Sequence, residues 1–183
     1  MSENADGSGF DPKRYGPWAV IAGGSEGVGA SFAHQLADAG INVVLIARKP
    51  GPLEETAEEV RARGVQALTL SADLTDPSVI DEIISVTDDL DVGLFIYNAG
   101  ANTYGNDFVE GDLERFQTVI DLNITAQLAL VHHFGARLRA RGEWRVVARR
   151  FHERLPRRQA SLDLRCREGL WARVRRVALA RAA

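Results

Sequence analysis

Residues 18–29 read WAVIAGGSEGVG, an apolar run that passes through a glycine-rich turn, and the fold is decided here. Trp18 to Ala22 is short, apolar and closed by Gly23 and Gly24, the pattern of a strand buried on both faces. Residues 30–39 follow with Phe32, Ala33, Leu36 and Ala37 at helical spacing, and the pattern stops at Gly40. Glycine lets the backbone turn sharply and come close to a pyrophosphate, and the free N–H groups at the start of a helix attract such an anion. Taken alone, the turn has two readings: a phosphate cradle, or a tight turn that holds nothing. Its spacing is G-x-x-x-G-x-G rather than the G-x-G-x-x-G of the general dinucleotide fingerprint.

Working outward, residues 41–47 (INVVLIA) predict a second buried strand and residues 53–63 a charged helix after Pro52. Residues 65–71 predict a third strand, and Asp76-Pro77 opens a helix over 78–88. Residues 92–97 (VGLFIY) predict a fourth strand. A single long helix is expected over 113–138, with Phe116, Val119, Ile120, Leu122, Ile124, Leu128 and Val131 as its apolar positions. Strands alternating with helices predict an α/β fold, a doubly wound parallel sheet with helices on both faces. Ligands of such sheets bind at the carboxyl ends of the strands.

Composition bounds the rest. At 183 residues and 45% hydrophobic content, one core is expected. The single cysteine, Cys166, excludes a disulfide framework and fits a reducing, cytoplasmic setting. No apolar run is long enough to span a bilayer, and residues 1–16 read as a polar, flexible leader. The net charge of −3 conceals a division: residues 1–136 hold 7 basic and 21 acidic side chains, and residues 137–183 hold 15 and 4. The expected organisation is a leader (1–16), a dinucleotide-binding domain (17–140) and an irregular Arg-rich tail (141–183) with no strand. A basic tail can neutralise nucleic-acid phosphates, but this one lacks interleaved aromatics and a recognisable module, which makes that the minor reading. His132 and His133 have no acidic or cysteine partners in the sequence around them, so no metal site is expected. Trp144 and Trp171 fall in the tail.

Three further features lie where a ligand would sit. Asn98-Ala99-Gly100 follows the fourth strand, and Ala72-Asp73-Leu74 follows the third. Asn123 lies among apolar neighbours in the long helix, where its amide needs a partner. By itself it is either a kink with a backbone partner or a functional group. With the glycine turn, these motifs resemble the short-chain dehydrogenase/reductase family over about residues 17–140. The resemblance implies a Rossmann-type sheet, truncated here to about four strands in the order 3-2-1-4. The resemblance implies that Gly23, Ser25, Glu26, Gly27, Val28 and Gly29 surround a pyrophosphate and its ribose. It implies that Asp73 and Leu74 flank the adenine, and that Asn98, Ala99 and Gly100 line the cofactor floor. Asn123 matches the family's proton-relay asparagine. It further implies hydride transfer at a carbonyl or alcohol carbon of a small molecule, and homodimers or tetramers built on the long helix. The second strand ends in Arg48 and Lys49, with no acid for a ribose diol. A guanidinium suits a 2′-phosphate, so NADP(H) is expected over NAD(H), the alternative for Arg48 being a solvated loop charge.

The family's chemistry uses a tyrosine with a lysine four residues on, and a serine ahead of both. Tyr15, Tyr97 and Tyr104 are the chain's tyrosines, and none has that lysine. The strand and helix that would cover the fourth strand and the apolar face of residues 113–138 are also missing, so the chain is expected to fold poorly. Without the tyrosine and lysine it is expected to turn over weakly or not at all, or else to serve as a non-catalytic cofactor-binding module. The genetic code offers one account of the Arg-rich tail. Codons allowed for residues 162–169, read one nucleotide out of frame, yield Ser-Thr-Tyr-Ala-Ala-Ala-Lys-Ala. A frameshift near residues 141–144 is the expectation that follows.

Overall fold

A computed structural model of the chain describes residues 15–100, 104, 106–142 and 146–148. Residues 1–14 of the expected leader (1–16), residues 143–145 and 149–183 of the expected tail, and with them Trp144, Cys166 and Trp171, lie outside the described residues. In chain order the elements are β1 (Trp18–Ala22), α1 (Gly27–Asp38), β2 (Asn42–Ala47), α2 (Pro50–Arg61), β3 (Ala67–Ser71), α3 (Ser78–Thr87) and β4 (Val92–Tyr97). They continue with α4 (Leu113–Ile120), a π-helical turn (Asp121–Thr125), α5 (Ala126–Ala140) and β5 (Val146–Ala148). The strands form one parallel sheet in the order β3-β2-β1-β4-β5.

The strands alternate their side chains between two helix layers, as the pleat requires. Ala19, Ile21, Val43, Leu45, Leu94 and Ile96 face α1 and α2, against Phe32, Leu36, Leu53 and Val60. Val20, Ala22, Val44, Ile46, Phe95 and Tyr97 face α3 and α5, against Ile83, Leu130, Phe134 and Leu138. Phe134 stacks on Phe95 with ring centroids 4.5 Å apart. Arg137 near the end of α5 donates to the carbonyls of Thr87 (2.9 Å), Asp88 (3.0 Å) and Leu90 (2.9 Å), which ties α5 to the end of α3. Among the described residues no helix is long and apolar enough to cross a membrane.

Three expectations are corrected. The first concerns the tail, which was expected to add no strand to a four-stranded sheet. Val146–Ala148 forms β5, with Val146, Val147 and Ala148 opposite Phe95, Ile96 and Tyr97. Two β-branched residues suffice because β4 already presents an open ladder, while the surrounding arginines hide so short a strand from a reading by composition. The second concerns the long helix, which is interrupted by the π turn that contains Asn123. The third concerns α2, which starts at Pro50 rather than after Pro52. Proline is tolerated in a first turn, where its missing N–H would have no intrahelical partner.

The long helix buries a narrower stripe than its composition implies. Ala126, Leu130, Phe134 and Leu138 are buried at intervals of one helical turn, whereas Leu113, Ile120, Ile124 and Leu128 are exposed.

Candidate active site

The carboxyl ends of β1, β2, β3 and β4 meet along one edge, and the glycine turn closes it. Gly23 has φ +83, and a Cβ there would lie 2.6 Å from the Ala99 nitrogen. At Gly29 a Cβ would lie 1.8 Å from the Gly23 carbonyl oxygen and 2.9 Å from Asn98 Nδ2. The buried Asn98 side chain donates to that same Gly23 carbonyl at 3.0 Å. The backbone N–H groups of Asn98 and Ala99 both donate to the Ala22 carbonyl at 2.8 Å. Gly23, Gly29 and Asn98 are thus one interlocked unit joining the first turn to the end of β4. From the other side, Thr56 Oγ1 of α2 donates to the Ser25 carbonyl at 2.9 Å. Thr56 was not among the residues read from sequence. Only its burial on α2 marks it.

Gly27 differs from the other two glycines. It has φ +58, and a Cβ there would meet nothing within 4 Å. Glu26 precedes α1 in an extended conformation, and its side chain accepts no hydrogen bond from the helix start. Exposed Gly27 and partly exposed Val28 therefore border an open approach to the first N–H groups of α1, beside the positive end of its dipole. An anionic group fits there, with no side chain to displace.

The rim is charged. Arg48 and Lys49 leave β2 exposed, with Arg48 Nη1 3.9 Å from Asp73 Oδ2 and Lys49 Nζ 3.8 Å from Glu26 Oε1. Leu74 is buried in the layer beneath α3 and α5, next to exposed Asp73. Gly100 has φ +153 directly after Ala99. In the loop that follows Gly100, residues 101–103 and 105 lie outside the described residues.

Asn123 sits in the π turn, where its Nδ2 donates to the Val119 carbonyl at 2.8 Å. The π turn is tied to the sheet by a residue that the sequence reading passed over. Tyr97, fully buried at the end of β4, donates its hydroxyl to the Leu122 carbonyl, one residue before Asn123. Burial raises the phenol pKa well above its ordinary value, so the hydroxyl stays protonated as a donor. Tyr97→Phe is expected to cost about 1–2 kcal/mol, because a buried carbonyl loses its donor. It should also speed amide exchange over residues 119–126. Unchanged denaturation and exchange would mean that the hydroxyl ties nothing.

The remaining described tyrosines are committed elsewhere or lie at the margin of the site. Tyr104 oxygen accepts from the Asp112 nitrogen at 2.7 Å and from Asn106 Nδ2 at 3.1 Å. Its ring packs on Phe116 with centroids 4.8 Å apart and lies under the Arg115 guanidinium. Tyr15 lies ahead of β1, packed against the core under α1 and α2. No group of three or more histidine, cysteine or carboxylate side chains suited to a metal occurs among the described residues.

Comparison with known proteins gives a consistent likeness. A family model described as short chain dehydrogenase matches residues 17–148, beyond the limit near residue 140 expected from motifs. The chain is 31% identical over 123 residues to a 7beta-hydroxysteroid dehydrogenase of Collinsella aerofaciens, covering 67% of this chain and 46% of the relative. It is 43% identical over 94 residues to a very-long-chain 3-oxoacyl-CoA reductase of Aspergillus clavatus, covering 50% of this chain and 27% of that protein. A solved structure of a short-chain dehydrogenase from Sphingobium yanoikuyae in complex with NADPH superposes with TM-score 0.67 and 34% identity. It covers 72% of this chain and 52% of that one. The chain spans about half the length or less of these curated relatives.

Proposed function

Because this chain belongs to the short chain dehydrogenase family, we propose that residues 17–148 form the cofactor half of an NAD(P)(H)-dependent oxidoreductase, and that this chain binds NADP(H) in preference to NAD(H) without moving hydride. The observation that carries the binding reading is the Gly23–Gly29–Asn98 interlock beside the open approach at Gly27. Ser25, Glu26, Gly27, Val28 and Gly29 would hold the pyrophosphate and adjoining ribose. Asp73 and Leu74 would flank the adenine, and Asn98, Ala99 and Gly100 would line the cofactor floor. In a complete enzyme of this family the nicotinamide would supply hydride to a carbonyl carbon or take it from an alcohol carbon, and this chain would contribute the groups that hold it. The S. yanoikuyae relative supports the phosphorylated dinucleotide through the NADPH in its structure, and Arg48 supplies a guanidinium at the ribose end.

Asn123 would serve as the proton-relay asparagine, and its π turn supports that reading, since such turns gather at functional sites. A relay needs a proton donor to serve. Tyr97 is committed to Leu122, and Tyr104 oxygen accepts from Asp112 and Asn106. No Tyr-x-x-x-Lys occurs in the chain. The apolar side chains exposed along α4 and α5 accord with a homodimer or tetramer contact, and the single cysteine accords with a cytoplasmic setting.

Fluorescence titration of the full chain with NADPH and NADH tests this reading. The expected result is tighter NADPH binding, with no oxidation of either dinucleotide by a panel of ketones and acyl thioesters. Equal or tighter NADH binding overturns the preference, and turnover overturns the non-catalytic reading. The frameshift is tested by sequencing the DNA that encodes residues 139–150 and the region after it. A Tyr-x-x-x-Lys in an alternative frame is expected, and its absence from both alternative frames rejects the idea.

A further inference from the structure

The ribose end of the site carries a charge arrangement that the glycine turn does not require. Parallel pairing sets Ala47 opposite Ser71. The Ala72 nitrogen then donates to the Ala47 carbonyl at 3.0 Å, and Ser71 Oγ to the Arg48 carbonyl at 3.2 Å. This register brings Arg48 and Asp73 out of the sheet side by side. Asp73 divides its two oxygens: Oδ1 accepts from the Thr75 nitrogen at 3.0 Å and from Thr75 Oγ1 at 2.8 Å, while Oδ2 faces Arg48 Nη1 at 3.9 Å. The turn at Thr75 therefore holds the carboxylate in place. Arg48, on an exposed stem, is the partner that can move. Lys49 has the same relation to Glu26, so each cation leaving β2 is matched by an acid on a neighbouring segment.

We propose that Asp73 is a specificity-determining residue for the dinucleotide: its Oδ2 competes with the ligand's 2′-phosphate for Arg48. The Arg48–Asp73 pair, rather than Arg48 alone, then sets how far a phosphorylated dinucleotide is favoured. The proposal rests on the cofactor reading above. A 2′-phosphate brings a dianion that can take two N–H groups of the guanidinium at once, but it must draw them from Asp73 and settle near a like charge. A ribose that carries only hydroxyls brings no charge for the carboxylate to oppose. Both side chains of the pair are about half exposed. Water and salt therefore weaken the competition without abolishing it.

The test is the ratio of NADPH to NADH dissociation constants for the full chain. Asp73→Asn keeps the oxygen that Thr75 needs and removes the charge. It is expected to raise the preference for NADPH about three- to ten-fold at low ionic strength, less at about 0.5 M salt. Any loss common to both ligands, from the adenine floor, cancels in the ratio. In an Arg48→Gln background no guanidinium is contested and only the like-charge repulsion remains, so the same substitution should raise the ratio by less than two-fold. A ratio within two-fold of the parent for Asp73→Asn overturns the proposal, as does an equal change in the Arg48→Gln background. Failure of the parent chain to bind either dinucleotide overturns the cofactor reading and this proposal together. Binding with an unmoved ratio overturns this proposal alone.

Discussion

Gly29→Ala is expected to weaken dinucleotide binding by at least about a hundred-fold, near 2.7 kcal/mol, and to cost about 2–3 kcal/mol of stability. The added carbon would sit 1.8 Å from the Gly23 carbonyl oxygen and 2.9 Å from Asn98 Nδ2. Neither neighbour can yield cheaply, because Gly23 is anchored through its nitrogen to the Ile46 carbonyl at 2.7 Å and Asn98 to Ala22 at 2.8 Å. Helix α1 must then withdraw from the sheet edge, and the anion site opens with it. Gly27→Ala provides the contrast. Its φ of +58 disfavours a side chain by about 1 kcal/mol, yet nothing lies within 4 Å of the new carbon. Stability should fall by about that 1 kcal/mol, less than for Gly29→Ala, while binding falls as well, since the methyl would stand in the open approach. Titration and urea denaturation on both variants would separate the effects. Tight NADPH binding by Gly29→Ala would refute the interlock as the basis of the site.

Phe134→Ala is expected to destabilise the chain by about 3–5 kcal/mol, the range for deleting a buried phenyl ring. Phe134 is fully buried, stacks on Phe95, and lies in the middle of the α5 stripe that covers β4. A domain's whole stability is about 5–15 kcal/mol, so this one ring is expected to decide whether the fold persists. Leu128→Ala, on the same helix but exposed, should change stability by no more than about 0.5 kcal/mol. Equal losses for the two substitutions would mean that Leu128 is covered by some other part of the chain or by a partner. The exposed row of Leu113, Ile120, Ile124 and Leu128 also accords with the expectation that the chain folds poorly, because each such side chain forgoes the gain of burial.

The sequence marks several residues of the candidate site but not how they meet. The glycine spacing marked Gly23, Gly27 and Gly29, and all three lie at the sheet edge. Their roles divide only in three dimensions: Gly23 and Gly29 permit contact between segments, and Gly27 leaves room for a ligand. Asn123 was readable as a kink or as a functional group, and the π turn with its Val119 contact accords with both. Arg48 was readable as a cation without an acid beside it in sequence. Its acid is Asp73, which pairing of β2 with β3 brings next to it. Tyr97 looked like the last apolar residue of a buried strand, because its hydroxyl partner is 25 residues away.

By itself the sequence determined the alternation of strands and helices, the parallel sheet that this alternation builds and the position of the glycine turn. Those properties follow from local runs of apolar residues, from glycine's freedom at positive φ and from the handedness of crossovers. Tertiary structure alone decided that Val146–Ala148 is a strand, that only one stripe of α5 is buried, and that Asp73 and Tyr97 are neighbours of Arg48 and Leu122. A three-residue strand has no stability apart from the open ladder of β4. An ion pair or a buried hydroxyl bond likewise exists only once the register of the sheet has brought distant segments within a few ångströms.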